Sequence, residues 1–235
     1  LTERLKLELW LINGWQSYAK FGESPGFGYQ VLYRPREWVS LVANGYIGND
    51  TLNNGSRLRF HSDNSAQIRY WERPGSFLHR AAFSLTGDLG FEHGGGVTAF
   101  GGAGGPAQHF LSAMAYHRLW LWHDSLALTF GGGVLQNPGR YLVLVPPGVA
   151  GQQFDTSPGT GFFAWDVSGT VDFMPNEQST WRVEVVHREA NVPYFAGPGG
   201  VTGPSGLTTD VVTPQWRPDL ARSETRFILA LLFRM

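Results

Sequence analysis

Ser223-Glu-Thr-Arg-Phe-Ile-Leu-Ala-Leu-Leu-Phe-Arg-Met235 alternates almost without error. Ser223, Thr225, Phe227, Leu229, Leu231, Phe233 and Met235 fall on one side, apolar after the first two. Arg222, Glu224, Arg226, Ile228, Ala230, Leu232 and Arg234 fall on the other. A period of two places successive side chains on opposite faces of a strand. A face this apolar at the end of the sequence has little to pack against in water. It suits the wall of an outer-membrane β-barrel, with one face to lipid and one to the lumen. A terminal strand of a soluble sandwich would alternate in the same way, so the other segments must decide.

The same period recurs upstream. Ala81, Phe83, Leu85, Leu89 and Phe91 oppose Ser84, Thr86, Asp88 and Glu92. Phe163, Trp165, Val167, Val171 and Phe173 oppose Asp166, Ser168, Thr170 and Asp172, and Trp181, Val183 and Val185 oppose Arg182, Glu184 and Arg188. Arg57, Arg59 and His61 oppose Leu58 and Phe60, and Gln67 and Arg69 oppose Ile68 and Tyr70. No sustained helical period competes. The segment 109–122 alternates less cleanly, because Arg118 falls with Phe110, Met114, Tyr116 and Trp120.

The connections sort by length. Long Gly/Pro-rich stretches at 93–107, 136–161 and 191–221 alternate with short turns at 123–124 and 174–178, as surface loops and periplasmic turns do in outer-membrane barrels. Further turns are expected at Arg34-Pro35-Arg36 and at Asp63-Asn64-Ser65, with a link at 74–78. Together these give eleven or twelve strands, near 5–12, 15–21, 27–34, 38–48, 56–62, 66–73, 79–92, 109–122, 124–135, 162–174, 178–190 and 222–235. The N-terminal turns break the long/short alternation. Either the first segment is one long strand or part of the barrel is missing, and the opening Leu1-Thr2-Glu3-Arg4, without an initiator Met or a signal peptide, favours an N-terminally truncated barrel.

Composition agrees. Charged residues make up 16% of the 235, well below the roughly 25% usual in soluble domains, while 14% are aromatic. A net charge of −1 gives no electrostatic footprint for nucleic acid. Cysteine is absent, so neither a disulfide framework nor a thiolate site is available. No apolar run approaches the ~20 residues of a membrane helix. The expectation is a single all-β domain over 1–235, an antiparallel transmembrane up-and-down β-barrel of about twelve strands.

Several stretches carry a more specific signal: Tyr29-Gln-Val-Leu-Tyr-Arg-Pro-Arg-Glu-Trp38, Arg59-Phe-His-Ser-Asp-Asn-Ser65, Gly94-Gly-Gly-Val97, Asn137-Pro-Gly-Arg-Tyr-Leu-Val-Leu144 and Val192-Pro-Tyr-Phe-Ala-Gly-Pro-Gly-Gly200. From about Tyr29 onward the chain resembles the OmpL-like β-barrel porin family of bacteria. The resemblance implies an outer-membrane barrel with a pore role, and it carries over no catalytic residue. The chain departs from such barrels in ending at Met235 rather than an aromatic, and it is short for the family.

With lipid outside, the polar faces would line a lumen: Arg57, Arg59, Arg69, Asp88, Glu92, Asp166, Asp172, Arg182, Glu184, Arg188, Arg222, Glu224 and Arg226. Rings of such charges set pore selectivity. The alternative is a web of ion pairs bracing the wall, with Arg182 beside Glu184 and Glu224 between Arg222 and Arg226. Arg57, Arg59 and Arg69 have few acids nearby in sequence and form a candidate basic patch favouring anions. The loop at 191–206, with Tyr194 and Phe195, is either a constriction folded into the pore or an ordinary surface loop.

Other chemistries find no support. The glycine clusters at 94–96, 101–105, 131–133 and 197–200 lack the context of a phosphate loop and are read as bends, bulges and turns. The histidines show no metal spacing, and His109 and His117 are too far apart along one strand to share an ion. His61, Ser62 and Asp63 are adjacent, which forbids a triad, and are read as a tight turn. Trp10, Trp15 and Trp120-Leu121-Trp122 are read as girdle residues at the membrane interface.

The expected role is a non-enzymatic porin-like channel for passive diffusion and ion transport in the bacterial outer membrane, without cofactor or metal. Its expected partners are outer-membrane lipid, small polar solutes and the barrel assembly machinery. The alternatives are a plugged structural barrel, since about twelve strands leave little bore, and a soluble ligand-binding β-protein.

Overall fold

The computed structural model describes residues 2–15, 24–51, 54–102, 107–139, 161–201 and 219–234. In chain order the strands are β1 Leu5–Ile12, β2 Gly26–Arg36, β3 Val39–Gly48, β4 Leu58–Glu72, β5 Leu78–His93, β6 His109–Leu121, β7 Leu126–Asn137, β8 Phe162–Asn176, β9 Ser179–Ala190, β10 Phe195–Ala196, β11 Leu220–Ala221 and β12 Ser223–Phe233. All but the short β10/β11 pair form one sheet of ten strands, in which each strand pairs antiparallel with the next along the chain and β9 pairs with β12. This is the expected all-β up-and-down architecture, with ten strands in the main sheet among the described residues. Among the described residues no register joins β1 to β12, so the described sheet has two edges.

The main correction falls on Asp63-Asn64-Ser65. These residues lie inside a 15-residue β4, paired with Asn44, Ala43 and Val42 on one side and with Asp88, Gly87 and Thr86 on the other. Asp, Asn and Ser favour turns through local side-chain bonds, but two full backbone ladders override that preference. The merger restores the alternation that the N-terminal turns seemed to break. Strand ends at Arg36/Val39, Glu72/Leu78, Leu121/Leu126 and Asn176/Ser179 leave short links at one end of the strands. The longer links, at 13–25, 49–57, 94–108, 138–161 and 191–222, all leave from the other. The expected strand at 15–21 falls mostly outside the described residues.

Turn chemistry is local. The Asn176 carboxamide oxygen accepts from the Gln178 and Ser179 amides at 3.0 and 2.9 Å and closes the β8–β9 turn. Trp122, His123 and Asp124 adopt φ of 48°, 52° and 71°, a left-handed run that L-residues enter at a cost. Gly94, Gly95 and Gly96 have φ of 89°, 56° and 90°, bearing out the reading of that cluster as a turn. Gly131-Gly132-Gly133 differs: it runs mid-strand in β7, where the Tyr116 ring and the Met114 side chain occupy the space a Cβ would need.

Register extends the two faces of β12 across the whole sheet. Leu229 pairs with Val183, which pairs with Val171, which pairs with Leu128. The row continues through Leu119 and Ala81. Lower rows on the same side carry Phe83, Ile68 and Val39, and β1 ends the face with Leu7, Leu9 and Leu11. Leu229 is 80% exposed, Leu9 62% and Val167 51%. The largest fully buried side chains are instead polar, Asn137 at 1% and Asp172 at 0%. In water this order would be upside down.

Aromatics crowd the apolar face towards both ends of the strands. Tyr33, Tyr70, Phe173, Trp181 and Phe233 are exposed near the short turns. Phe27, Phe163 and the stacked pair Phe60–Phe91, with ring centroids 5.1 Å apart, stand towards the long loops. Ten residues separate Phe163 from Phe173, about 33 Å along a strand. A tilt of about 45° brings that to about 23 Å, close to the apolar band of about 25 Å in outer-membrane barrels.

Candidate functional site

The polar face gathers nearly all the expected charges. Arg57 precedes β4, and Arg59 and Arg69 lie on it; Asp88 and Glu92 are on β5, Asp166 and Asp172 on β8, Arg182, Glu184 and Arg188 on β9, and Glu224 and Arg226 on β12. Cross-strand pairing puts them on the side opposite the apolar rows. Arg222 lies in the break between β11 and β12, where it is exposed and its carbonyl accepts from the Ala190 amide at 2.8 Å.

Partners come mainly from neighbouring strands, because directly opposed residues lie closer than i, i+2 neighbours on one strand. Arg182 binds Asp172 with two guanidinium nitrogens, at 2.6 and 3.0 Å, rather than Glu184. Arg118 reaches the same carboxylate at 2.7 Å and donates to the Thr129 hydroxyl at 2.8 Å. Two guanidinium groups lie over the Trp120 ring, Arg80 at 5.2 Å and Arg118 at 5.1 Å from its centroid. Arg80 in turn pairs with Asp124 at 2.5 Å, and Asp124 also holds His79 at 2.9 Å. A ladder of charge thus crosses β5 to β9 near the short turns. Glu224 is shared by Arg226 at 3.0 Å and Arg188 at 3.5 Å; the expected Arg226 contact is present and Arg188 stands in for Arg222.

The expectation of a free basic patch is corrected by the same geometry. Arg59 donates to Glu92 at 2.9 and 2.7 Å and meets Asp50 at 3.3 Å, while Arg57 lies 3.6 Å from Glu92. Arg69 pairs with Glu72 at 3.2 Å. The acids reach Arg57 and Arg59 from β5 and from the β3–β4 loop, so distance in sequence concealed them. Asp50 also accepts from the Tyr46 hydroxyl at 2.5 Å and the Trp15 amide at 3.0 Å, tying two loop roots to the wall.

Loops cover part of this face. Val192 and Phe195 are buried with Phe162 and Ala190, and Tyr194, Leu135 and Ala164 pack against them. The described part of the 191–206 loop therefore packs onto the polar side at its root. Trp15 stacks on His61, centroids 3.8 Å apart and planes at 14°. Trp10 lines a cavity of about 440 Å³ on the polar face. Trp10, Trp15 and Trp120 are thus not girdle residues; Trp122 is exposed at a short turn.

Arg80, Arg118, Asp50 and Asp124 are absent from the lining expected from the sequence, and Trp120 joins them from the expected girdle. Arg80 has the parity of Ser84 and Asp88, which was a usable signal. Arg118 was obscured because its face of β6 is aromatic while the opposite face carries His117. That histidine is satisfied on the apolar side by the Tyr70 hydroxyl at 2.5 Å. Among the described residues no group of three or more His, Asp or Glu is placed to hold a metal ion.

No curated protein and no solved structure matches the chain. A family model does, over residues 1–214, so the match begins ahead of Tyr29 and stops short of β12. Inverted burial, antiparallel meander, sorted loops and this match agree: the chain belongs to the family described as "Putative beta-barrel porin-2, OmpL-like", bacterial outer-membrane β-barrels with a general porin role.

Proposed function

We propose that the chain is a passive channel of the bacterial outer membrane, admitting small polar solutes along its charged face. The observation that carries this reading is the inversion of burial: Asp172 and Asn137 are enclosed while Leu229 and its neighbours are bare. Backbone polar groups cannot be left unpaired in lipid, so strands cross only as a closed sheet. The apolar face then meets outer-membrane lipid, and the charged face bounds a water-filled path. Diffusion along it needs neither cofactor nor covalent step, in keeping with a family that is generally non-enzymatic. As an outer-membrane barrel the chain would be a client of the barrel assembly machinery.

The thirteen charges named from the sequence, joined by Arg80 and Arg118, are the proposed lining, with Arg222 at its loop end. Because Arg57 and Arg59 are matched by Glu92 and Asp50, they contribute no net anion preference. The surplus positive charge lies instead around Asp172, which two arginines share. Reversal potentials across planar bilayers in a salt gradient test this. Arg118→Gln is expected to move them towards cation preference, and Arg57→Gln to move them less. An equal shift from both would contradict the assignment.

A second reading is supported by the ion-pair ladder itself. Few strands leave a narrow bore, and bridged side chains across it would form a plug. In that case the refolded barrel is silent in bilayers.

A further inference from the structure

The cavity of about 440 Å³ lies at the loop end of the polar face, where β1 to β6 each contribute. Its aromatic wall is continuous. Trp15 stacks on His61, and His61 meets Phe110 at 5.6 Å between centroids. Trp10 and Tyr46 add two more rings. Asp63 and Asp88 also line it, directly opposed in the β4–β5 register. Asp88 accepts from the Ser112 hydroxyl at 2.7 Å. Among the described residues no lysine or arginine lines the cavity. The nearest arginine along β4, Arg59, is committed to Glu92 and Asp50.

Like charges directly opposed on neighbouring strands repel, and a cation between them removes the penalty. Aromatic faces attract the same cation through their quadrupoles. A bare metal ion fits poorly, since among the described residues no three His, Asp or Glu side chains are placed to hold one. The volume suits a small organic molecule. We propose that this cavity is a binding subsite for a small organic ammonium ion. Trp15 and Phe110 supply ring faces, and Asp63 and Asp88 supply the countercharge. The proposal deepens the channel reading, on which it rests for solute access.

Choline is a suitable probe, and 3,3-dimethylbutan-1-ol is its uncharged isostere. Titration calorimetry on the whole chain refolded in detergent should show choline binding at least about tenfold tighter than the isostere, the loss expected when the cation contacts go. Asp63→Asn/Asp88→Asn should bring choline down to the level of the isostere, with heat-modifiable gel migration retained. Should that variant fail to fold, Trp15→Leu should weaken choline by about fivefold. Equal affinity for choline and the isostere would overturn the proposal, as would wild-type affinity in a folded variant. The calorimetry needs no current. A silent barrel that binds choline would refute the channel alone, and a conducting barrel indifferent to choline would refute the subsite alone.

Discussion

Asp172→Ala should cost the folded chain about 3 kcal/mol, the largest loss expected from any single side chain on the polar face. The carboxylate is fully enclosed and shared by Arg118 at 2.7 Å and Arg182 at 2.6 Å. Removing it leaves two facing guanidinium groups without their common acceptor. Their partial exposure keeps the loss below that of a fully enclosed triad. Asp172→Asn keeps the shape and one acceptor and should lose about half as much. Urea titration of the chain in lipid vesicles, followed by tryptophan fluorescence, gives both values. A loss below about 0.5 kcal/mol for Asp172→Ala, the level of a solvated surface pair, would contradict the enclosure of this site.

The second large effect separates adjacent residues on one strand. Val167 stands on the apolar face of β8 near its middle, and Ser168 on the polar face. Val167→Arg should destabilise the barrel by about 2–4 kcal/mol, the range for a cation at the midplane of the lipid face. Ser168→Arg should cost less than about 1 kcal/mol, because its charge enters an already polar surface. The same unfolding titration compares them. Similar losses would mean that the faces are not divided between lipid and water.

The sequence made the sheet legible because its signal is a strict period of two. Phe227 to Phe233, Phe163 to Phe173 and Trp181 to Val185 each declare their faces without help from a partner. Asp63-Asn64-Ser65 was misread because turn propensity is local, whereas the ladders to Asn44 and Asp88 that hold it straight come from other strands. The charged face was legible as a set of residues but not as a set of contacts. Asp172 was named, yet its partner Arg118 was hidden by the aromatic neighbours of its own face. Arg57 and Arg59 looked unmatched because Glu92 approaches from another strand. The tryptophans mislead most, since composition shows that a barrel has aromatics without showing which side bears them. Trp10 and Trp120 turn to the polar face, while Trp181 stays on the apolar one.

Water access along the charged face is the central claim, and a chain without cysteine permits a direct test. Val183→Cys and Glu184→Cys, adjacent on β9 and on opposite faces, would be placed singly in the chain and reconstituted in lipid vesicles. A charged, membrane-impermeant maleimide should label the cysteine at 184 and leave the one at 183 unreacted until detergent is added. Labelling at 183 but not 184, or equal labelling at both, would contradict a water-filled path bounded by the charged face.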